Sequence, residues 1–345
     1  MPHACGMDIE IHPFTPDDAG DVAAALELTN VVSAADSPFE HPWLPHRFDT
    51  LLRRGWDGEP PAPYLATVEG RPVGTALMFT SERDNTHLAW LWLAIHPEQR
   101  RKGYGSALYE RMVDEVRAAG RTSVGMDGWE HERALGFAAK FGLEKKSQAI
   151  MRRQHLAELE PGYLEKLYDE ATTPASDYEL VRIVGRTPPD MVDAMVVLVS
   201  AINDAPTDDL DIEDEVFTAE RLAAYEDAAL ARGNRIYRLV ARHRGTGALG
   251  GHTVVAVEEE RPAYAHQHDT AVARAHRGHR LGMLLKAGML LWLADAEPRV
   301  ETIDTWNAES NDHMIAVNDL LGYRVMGREL QFQGALADAL GASAG

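Results

Sequence analysis

Two stretches of this 345-residue chain gather side chains that can do chemistry. In the first, His96-Pro97-Glu98-Gln99 runs into Arg100-Arg101-Lys102-Gly103-Tyr104-Gly105, where an apolar strand pattern gives way to a long helical one. A sharp glycine turn at a helix start points several unpaired N–H groups at one place, at the positive end of the helix dipole, and three basic side chains add charge. This is an anion site, and a pyrophosphate is the expected occupant. In the second, His266 and His268 stand two residues apart, on one face of a strand, ahead of Arg277-Gly278-His279-Arg280-Leu281-Gly282. A histidine can take a proton from an amine at neutral pH, directly or through water. His266 is the first candidate base and His268 the second. Asp269 points to the other face if the strand is regular, and a bulge would change that.

The spacing of the first turn fits neither the phosphate loop of nucleotide triphosphatases nor the dinucleotide fingerprint. As Arg/Gln-x-x-Gly-x-Gly/Ala it resembles the acetyl-coenzyme A loop of the GCN5-related N-acetyltransferases (GNAT). The second turn is a variant of it, with Arg280 at the position of the first glycine and Gly278 keeping close backbone approach possible.

A repeat supports the resemblance. Gly74 precedes Arg100 by 26 residues, and Gly251 precedes Arg277 by 26. Arg100 precedes the helix-ending Gly142 by 42, and Arg277 precedes Gly322 by 45. The implied fold is α/β (α+β): two tandem GNAT-like domains, each a mixed, mostly antiparallel central sheet flanked by helices. The layout is of an actinobacterial two-copy type, similar to that of mycothiol synthase. The expected divisions are 1–155, a connector 156–177, a second domain 178–333 and a tail 334–345.

The elements that must place these groups follow in order. Strand patterns at Asp8 to His12, Tyr64 to Val68, Val73 to Thr80 and Leu88 to Ile95 precede the first loop. Leu108, Met112, Val113 and Val116 then form one face of a helix ending near Gly120. After the connector the pattern restarts at Tyr178, with an apolar helix from Pro188 to Ile202 and a helix from Leu284 to Leu293 after the second loop.

The resemblance implies acyl transfer from acetyl-coenzyme A to an amine. That reaction needs a base, an amide donor for the developing oxyanion and a proton source for the thiolate. The implied cofactor residues are Ile95, Arg100, Arg101, Lys102, Gly103, Tyr104 and Gly105 in the first copy. In the second they are Val272, Arg277, Gly278, His279, Arg280, Leu281, Gly282, Asn307 and Asn311. Eleven residues before Arg100 stands Ala89, whereas eleven before Arg277 stands His266. The second copy is therefore the expected catalytic one. The family often has a tyrosine four residues before the glycine that ends the last helix; here those positions are Ala138 and Asn318. Asn318 can hydrogen-bond sulfur or cofactor without delivering a proton. An acceptor wall is implied between the first two helices of each copy, and the acidic run Asn203 to Glu215 falls there, with Asp204 and Glu213 as its first candidates.

Composition agrees with a small amine as substrate. A formal charge of -20 argues against nucleic acid and favours cationic ligands. Cys5 is the only cysteine, so neither an internal disulfide nor a thiolate metal site is expected. The start lacks a signal-peptide pattern and no apolar run is long enough to span a bilayer, so a soluble cytoplasmic monomer or homodimer is expected. The competing expectation is a non-catalytic acetyl-coenzyme A sensor or scaffold built on two degenerate copies.

Overall fold

The computed structural model describes residues 9–336; Cys5 and residues 337–345 of the expected tail lie outside them. The elements in chain order are β1 (Ile9–Pro13), α1 (Ala19–Asp36), α2 (Pro45–Arg54), β2 (Ala62–Val68), β3 (Arg71–Thr80), β4 (Leu88–Ile95), α3 (Tyr104–Ala118), β5 (Ser123–Trp129), α4 (Glu132–Lys140) and β6 (Glu144–His155). Then come α5 (Tyr163–Thr172), β7 (Tyr178–Val184), α6 (Val192–Val199), α7 (Ala219–Ala231), β8 (Asn234–His243), β9 (Leu249–Glu258), β10 (Tyr264–Val272), α8 (Leu281–Ala296), β11 (Thr302–Ala308), α9 (Asp312–Leu320) and β12 (Arg324–Ala335).

Local chemistry sets many of these boundaries. Pro45 opens α2, Thr218 accepts the Arg221 amide at the start of α7, and Asn311 accepts that of Met314 at the start of α9. Gly120, Gly142 and Gly322 follow their helices with positive φ.

Two compact units emerge, and neither is contiguous in sequence. Among the described residues, the first comprises 9–148, 209–213 and 329–336; the second comprises 149–208 and 214–328. In the first, β1, β2, β3 and β4 pair antiparallel in succession, β4 pairs parallel with β5, and β5 pairs antiparallel with residues 329–335 of β12. The second repeats this plan: β7, β8, β9 and β10 antiparallel, β10 parallel with β11, and β11 antiparallel with residues 149–155 of β6. The sequence divisions at 155 and 333 thus cut through pairing partners: each unit's last strand is supplied by the other half of the chain.

In the first unit, Leu108, Met112, Val113 and Val116 of α3 are fully buried against Ala76, Ala89 and Leu91 of the sheet. On the opposite side, α1 and α2 build a second cluster with Phe48, Leu51, Trp43 and Trp92. In the second unit, α8 is buried on nearly every side. Part of the expected connector explains this, because Leu167 and Ala171 of α5 share the α8 core, and Tyr168 lies against Gly288. A helix apolar all round must be covered all round. Glu226 and Arg238 form a buried ion pair in this unit at 2.6 Å.

Candidate functional site

The two glycine turns share one backbone. In the first, Arg101 and Gly103 have φ of 64° and 89°; in the second, Gly278 and Arg280 have φ of 88° and 56°. Each turn places left-handed residues at the same two positions, with glycine and arginine exchanged between them. Arg280 therefore adopts the conformation that a glycine would supply, at a cost of about 1–2 kcal/mol for a side chain in that region. The backbone N–H groups of 101–105 and of 278–282 have no hydrogen-bond partner among the described residues. Both turns open a helix, α3 and α8, so these amides sit at the positive dipole end.

The leading arginine of each turn is a strut. Arg100 donates from Nε to the Ile95 carbonyl at 3.1 Å and grips Asp36 with both terminal nitrogens at 2.8 Å. Arg277 donates from Nε to the Val272 carbonyl at 3.2 Å and to Asp204 at 2.6 Å. Arg274 also reaches Asp204, at 2.5 Å, and these donors hold the Asp204 carboxyl below the usual carboxylate range. Asp204 is therefore placed as the anchor of the second loop. Lys102 bonds Gln99 at 2.7 Å and His279 approaches the Pro174 carbonyl at 3.3 Å, while Tyr104 packs on the first unit's core.

The strands before the loops differ. β4 pairs with β3 without a break from Thr80–Ala89 to Gly74–Ile95. β10 has a bulge: its register on β9 jumps from Gln267–Val255 to Thr270–Thr253, leaving His268 and Asp269 outside the ladder. The Gln267 side chain donates to the Val254 carbonyl at 2.7 Å, satisfying the group that the jump exposes. Such a bulge re-aims side chains and frees strand amides.

His266 is backed by a carboxylate. Its Nε2 lies 3.0 Å from Oε1 of Glu258, which is 1 % exposed and also accepts from Arg261 at 2.6 Å. The ring stacks on Trp306, with centroids 6.2 Å apart and planes inclined by 19°, and meets Tyr264 edge-on at 4.5 Å. With Nε2–H donated to Glu258, the tautomer this contact favours leaves the Nδ1 lone pair as proton acceptor. His268 contacts the Tyr225 hydroxyl through Nδ1 at 2.9 Å. Solvent reaches Asp269, yet dense surroundings push its carboxyl above the normal range.

Asn318 is fully buried and donates to Asn307 Oδ1 at 2.6 Å, while its own Oδ1 has no partner. A buried acceptor left open fits an incoming amide N–H, such as those of a pantetheine arm. Asn311 serves as the cap of α9. Glu213 lies in the first unit: it accepts from the Asn85 amide at 2.8 Å and returns its own N–H to Asn85 Oδ1 at 2.7 Å.

The first unit carries carboxylates that the residue count from Arg100 does not reveal. Asp127 of β5 accepts from Trp90 Nε1 at 2.6 Å and from Trp92 Nε1 at 3.3 Å. Gln331 and Glu329 of β12 pair opposite Asp127 and Trp129. Burial, with the charges of Asp127 and Glu40 beside it, pushes Glu329 up to about 8. Gly125, between two buried residues of β5, was the available signal, because a Cβ there would lie 2.1 Å from the Trp90 ring. Glu329 arrives from two hundred residues further along the chain, beyond the reach of local spacing.

Residues 28–143 match the acetyltransferase (GNAT) family. A tandem GNAT protein from the clavulanic acid biosynthesis pathway is 26% identical, with a TM-score of 0.77 over 95% of this chain and 98% of that one. A GCN5-related N-acetyltransferase from Sphaerobacter thermophilus shares the fold at 15% identity, with a TM-score of 0.65 over 95% and 96% of the two chains. A glucosamine N-acetyltransferase region of a fungal multi-domain β-N-acetylglucosaminidase gives a TM-score of 0.65 at 14% identity, over 94% of this chain and 38% of that one. A comparison with curated proteins gives no match. Residues 28–143 thus resemble a GNAT acetyltransferase domain, and the chain has the fold of a tandem GNAT protein. These likenesses support acetyl transfer as the class of chemistry. Among the described residues no helix is long and apolar enough to cross a membrane, and no group of acidic, histidine or cysteine side chains has the arrangement of a metal site.

Proposed function

We propose that the protein is a cytoplasmic acetyl-coenzyme A-dependent N-acetyltransferase that acetylates a small amine by direct transfer, with its reaction centre in the second unit. The observation that carries this reading is His266, held by the buried Glu258 at 3.0 Å on the strand that bulges before the second loop. A base oriented by a third group is the arrangement general-base catalysis needs.

The residues present fit the cofactor. The free amides of 278–282 would hold the diphosphate, and the unsatisfied Asn318 Oδ1 would accept from an amide of the pantetheine arm. Acetyl-coenzyme A supplies the activated acetyl thioester. His266 takes the proton of the acceptor ammonium at Nδ1, directly or through one water. Glu258 fixes the ring and offsets the charge it gains. The bulge takes Asp269 out of the ladder with β9, which places its backbone amide to serve as an oxyanion donor. Trp306 and Tyr264 wall His266 and limit water around it.

The tandem neighbour from the clavulanic acid biosynthesis pathway supports a small-molecule acceptor. The test is amine-dependent release of coenzyme A over a panel of primary amines, amino sugars and peptides. Turnover above hydrolysis with one class supports the reading. Tight acetyl-coenzyme A binding without turnover on any amine supports the sensor instead.

A further inference from the structure

We infer that Arg152, on the strand that the first half of the chain lends to the second unit, faces the thioester sulfur of acetyl-coenzyme A and stabilises the thiolate that leaves. The inference rests on the reading that the second unit holds the thioester beside His266.

The two copies differ beneath their last helices. In the first unit Phe332 of β12 pairs with Met126 of β5, and both share one apolar cluster with Ala138 of α4. In the second unit the corresponding pair is Arg152 of β6 and Thr305 of β11, and the helix residue is Asn318 of α9. Arg152 is 4 % exposed, and its Nε lies 3.9 Å from Asp319, too far for a hydrogen bond. Its Nε and Nη1 have no hydrogen-bond partner among the described residues. Gln154 donates to the Leu321 carbonyl at 2.6 Å, and its Oε1, like the Tyr323 hydroxyl, is left open. Burying such groups unmatched is costly, and an apolar set fills the same place in the first unit. The open guanidinium donors suit an anion.

The strands say where that anion forms. β10 and β11 pair from Tyr264–Thr302 to His266–Asp304, and the pairing stops there. A cofactor held by its diphosphate at 278–282 and reacting beside His266 runs along β10 between those points, at the edge where this pairing has ended. Arg152 stands directly opposite Thr305, the first residue of β11 past it, one strand spacing further on. By strand alternation Arg152 shares a face with Asn307, which bonds Asn318 at 2.6 Å, whereas Trp306 stacks on His266 on the other face. Base and guanidinium thus flank the thioester from opposite sides of the sheet. The amine attacks from one side and sulfur departs toward the other.

Arg152 stays protonated throughout. When the C–S bond breaks and its electron pair goes to sulfur, the guanidinium offsets the new charge. Of the two protons the ammonium loses, one reaches sulfur through water and one ends in solvent. Arg152 thereby supplies what Asn318, which has no acidic proton, cannot.

The test follows the thiol of coenzyme A bound to the full chain, through the ultraviolet absorbance of its thiolate as the pH is raised, with no acceptor present. The thiol should titrate at least about one unit lower with the unaltered protein than with Arg152→Met. Arg152→Lys should keep most of that shift. Arg152→Met removes a buried charge and should melt no lower than the unaltered protein, so a lost shift is not a lost fold. Coincident titrations for the unaltered protein and Arg152→Met overturn the inference. A shift that survives Arg152→Met and disappears in His266→Ala also overturns it, by assigning the thiolate to the histidine. An Arg152-dependent shift without turnover on any amine supports the thiolate site and fails the catalytic reading.

Discussion

The buried carboxylate of Glu258 lies 3.0 Å from Nε2 of His266 and is itself gripped by Arg261 at 2.6 Å. This pair gives the second copy what the first copy's continuous strand lacks at the equivalent place, where Ala89 stands. Glu258→Gln keeps the shape and removes the charge. We expect kcat to fall by about 10- to 100-fold with KM for acetyl-coenzyme A nearly unchanged, as for removal of a group that aids a general base. Steady-state kinetics of the purified variant check this.

The two loops predict opposite outcomes for their exchanged residues. A Cβ on Gly278 would meet nothing within 4 Å, so Gly278→Val tests backbone strain alone. It should destabilise by about 1–2 kcal/mol and weaken coenzyme A binding. Arg280→Gly should change stability by no more than about 0.5 kcal/mol, because relief of strain offsets the entropy of a new glycine. Its KM for acetyl-coenzyme A should still rise severalfold through loss of a cation. Melting curves and a binding titration separate the two effects.

Lys286 is 2 % exposed in the middle of α8, its ammonium 4.9 Å from the centroid of Tyr323, and burial brings it down to about 7. In the unfolded chain it keeps its ordinary value of 10.5. Between those values the unfolded state binds more protons, so this residue makes stability rise with pH from about 7 to 10.5 and imposes its full cost below 7. Lys286→Met should raise stability near neutrality by several kcal/mol and flatten the alkaline slope. Denaturant unfolding at three pH values measures both.

Gly125→Ala would set a Cβ 2.1 Å from the Trp90 ring. The ring must move, breaking its 2.6 Å bond to Asp127. A loss of about 1–3 kcal/mol is expected, with a changed near-ultraviolet circular dichroism spectrum.

Much of this was legible in the chain. The glycine turns, their matched spacing and the helix face Leu108, Met112, Val113 and Val116 are local features, and local periodicity reports them directly. The histidines were found by counting from a landmark, because a strand fixes the distance between its end and its middle. Asp204 was read as acceptor wall and stands as the partner of Arg274 and Arg277, a pairing across 70 residues that no spacing rule predicts. Glu213 was read with the second copy and lies in the first unit, bonded to Asn85. Glu258 went unnoticed as a partner of His266, since the two meet only through the register of β9 and β10. The closeness of Asp127 and Glu329 was hidden for a stronger reason: one strand of the first unit comes from the end of the chain.

The central claim, that acetyl transfer occurs at His266, is tested most directly by amine-dependent coenzyme A release in His266→Ala and Asp127→Asn beside the unaltered protein. His266→Ala should lose about 10²- to 10⁴-fold in kcat and keep its affinity for acetyl-coenzyme A. Asp127→Asn should retain turnover in the second unit. Full activity in His266→Ala together with loss in Asp127→Asn would contradict the account and move the reaction to the first unit.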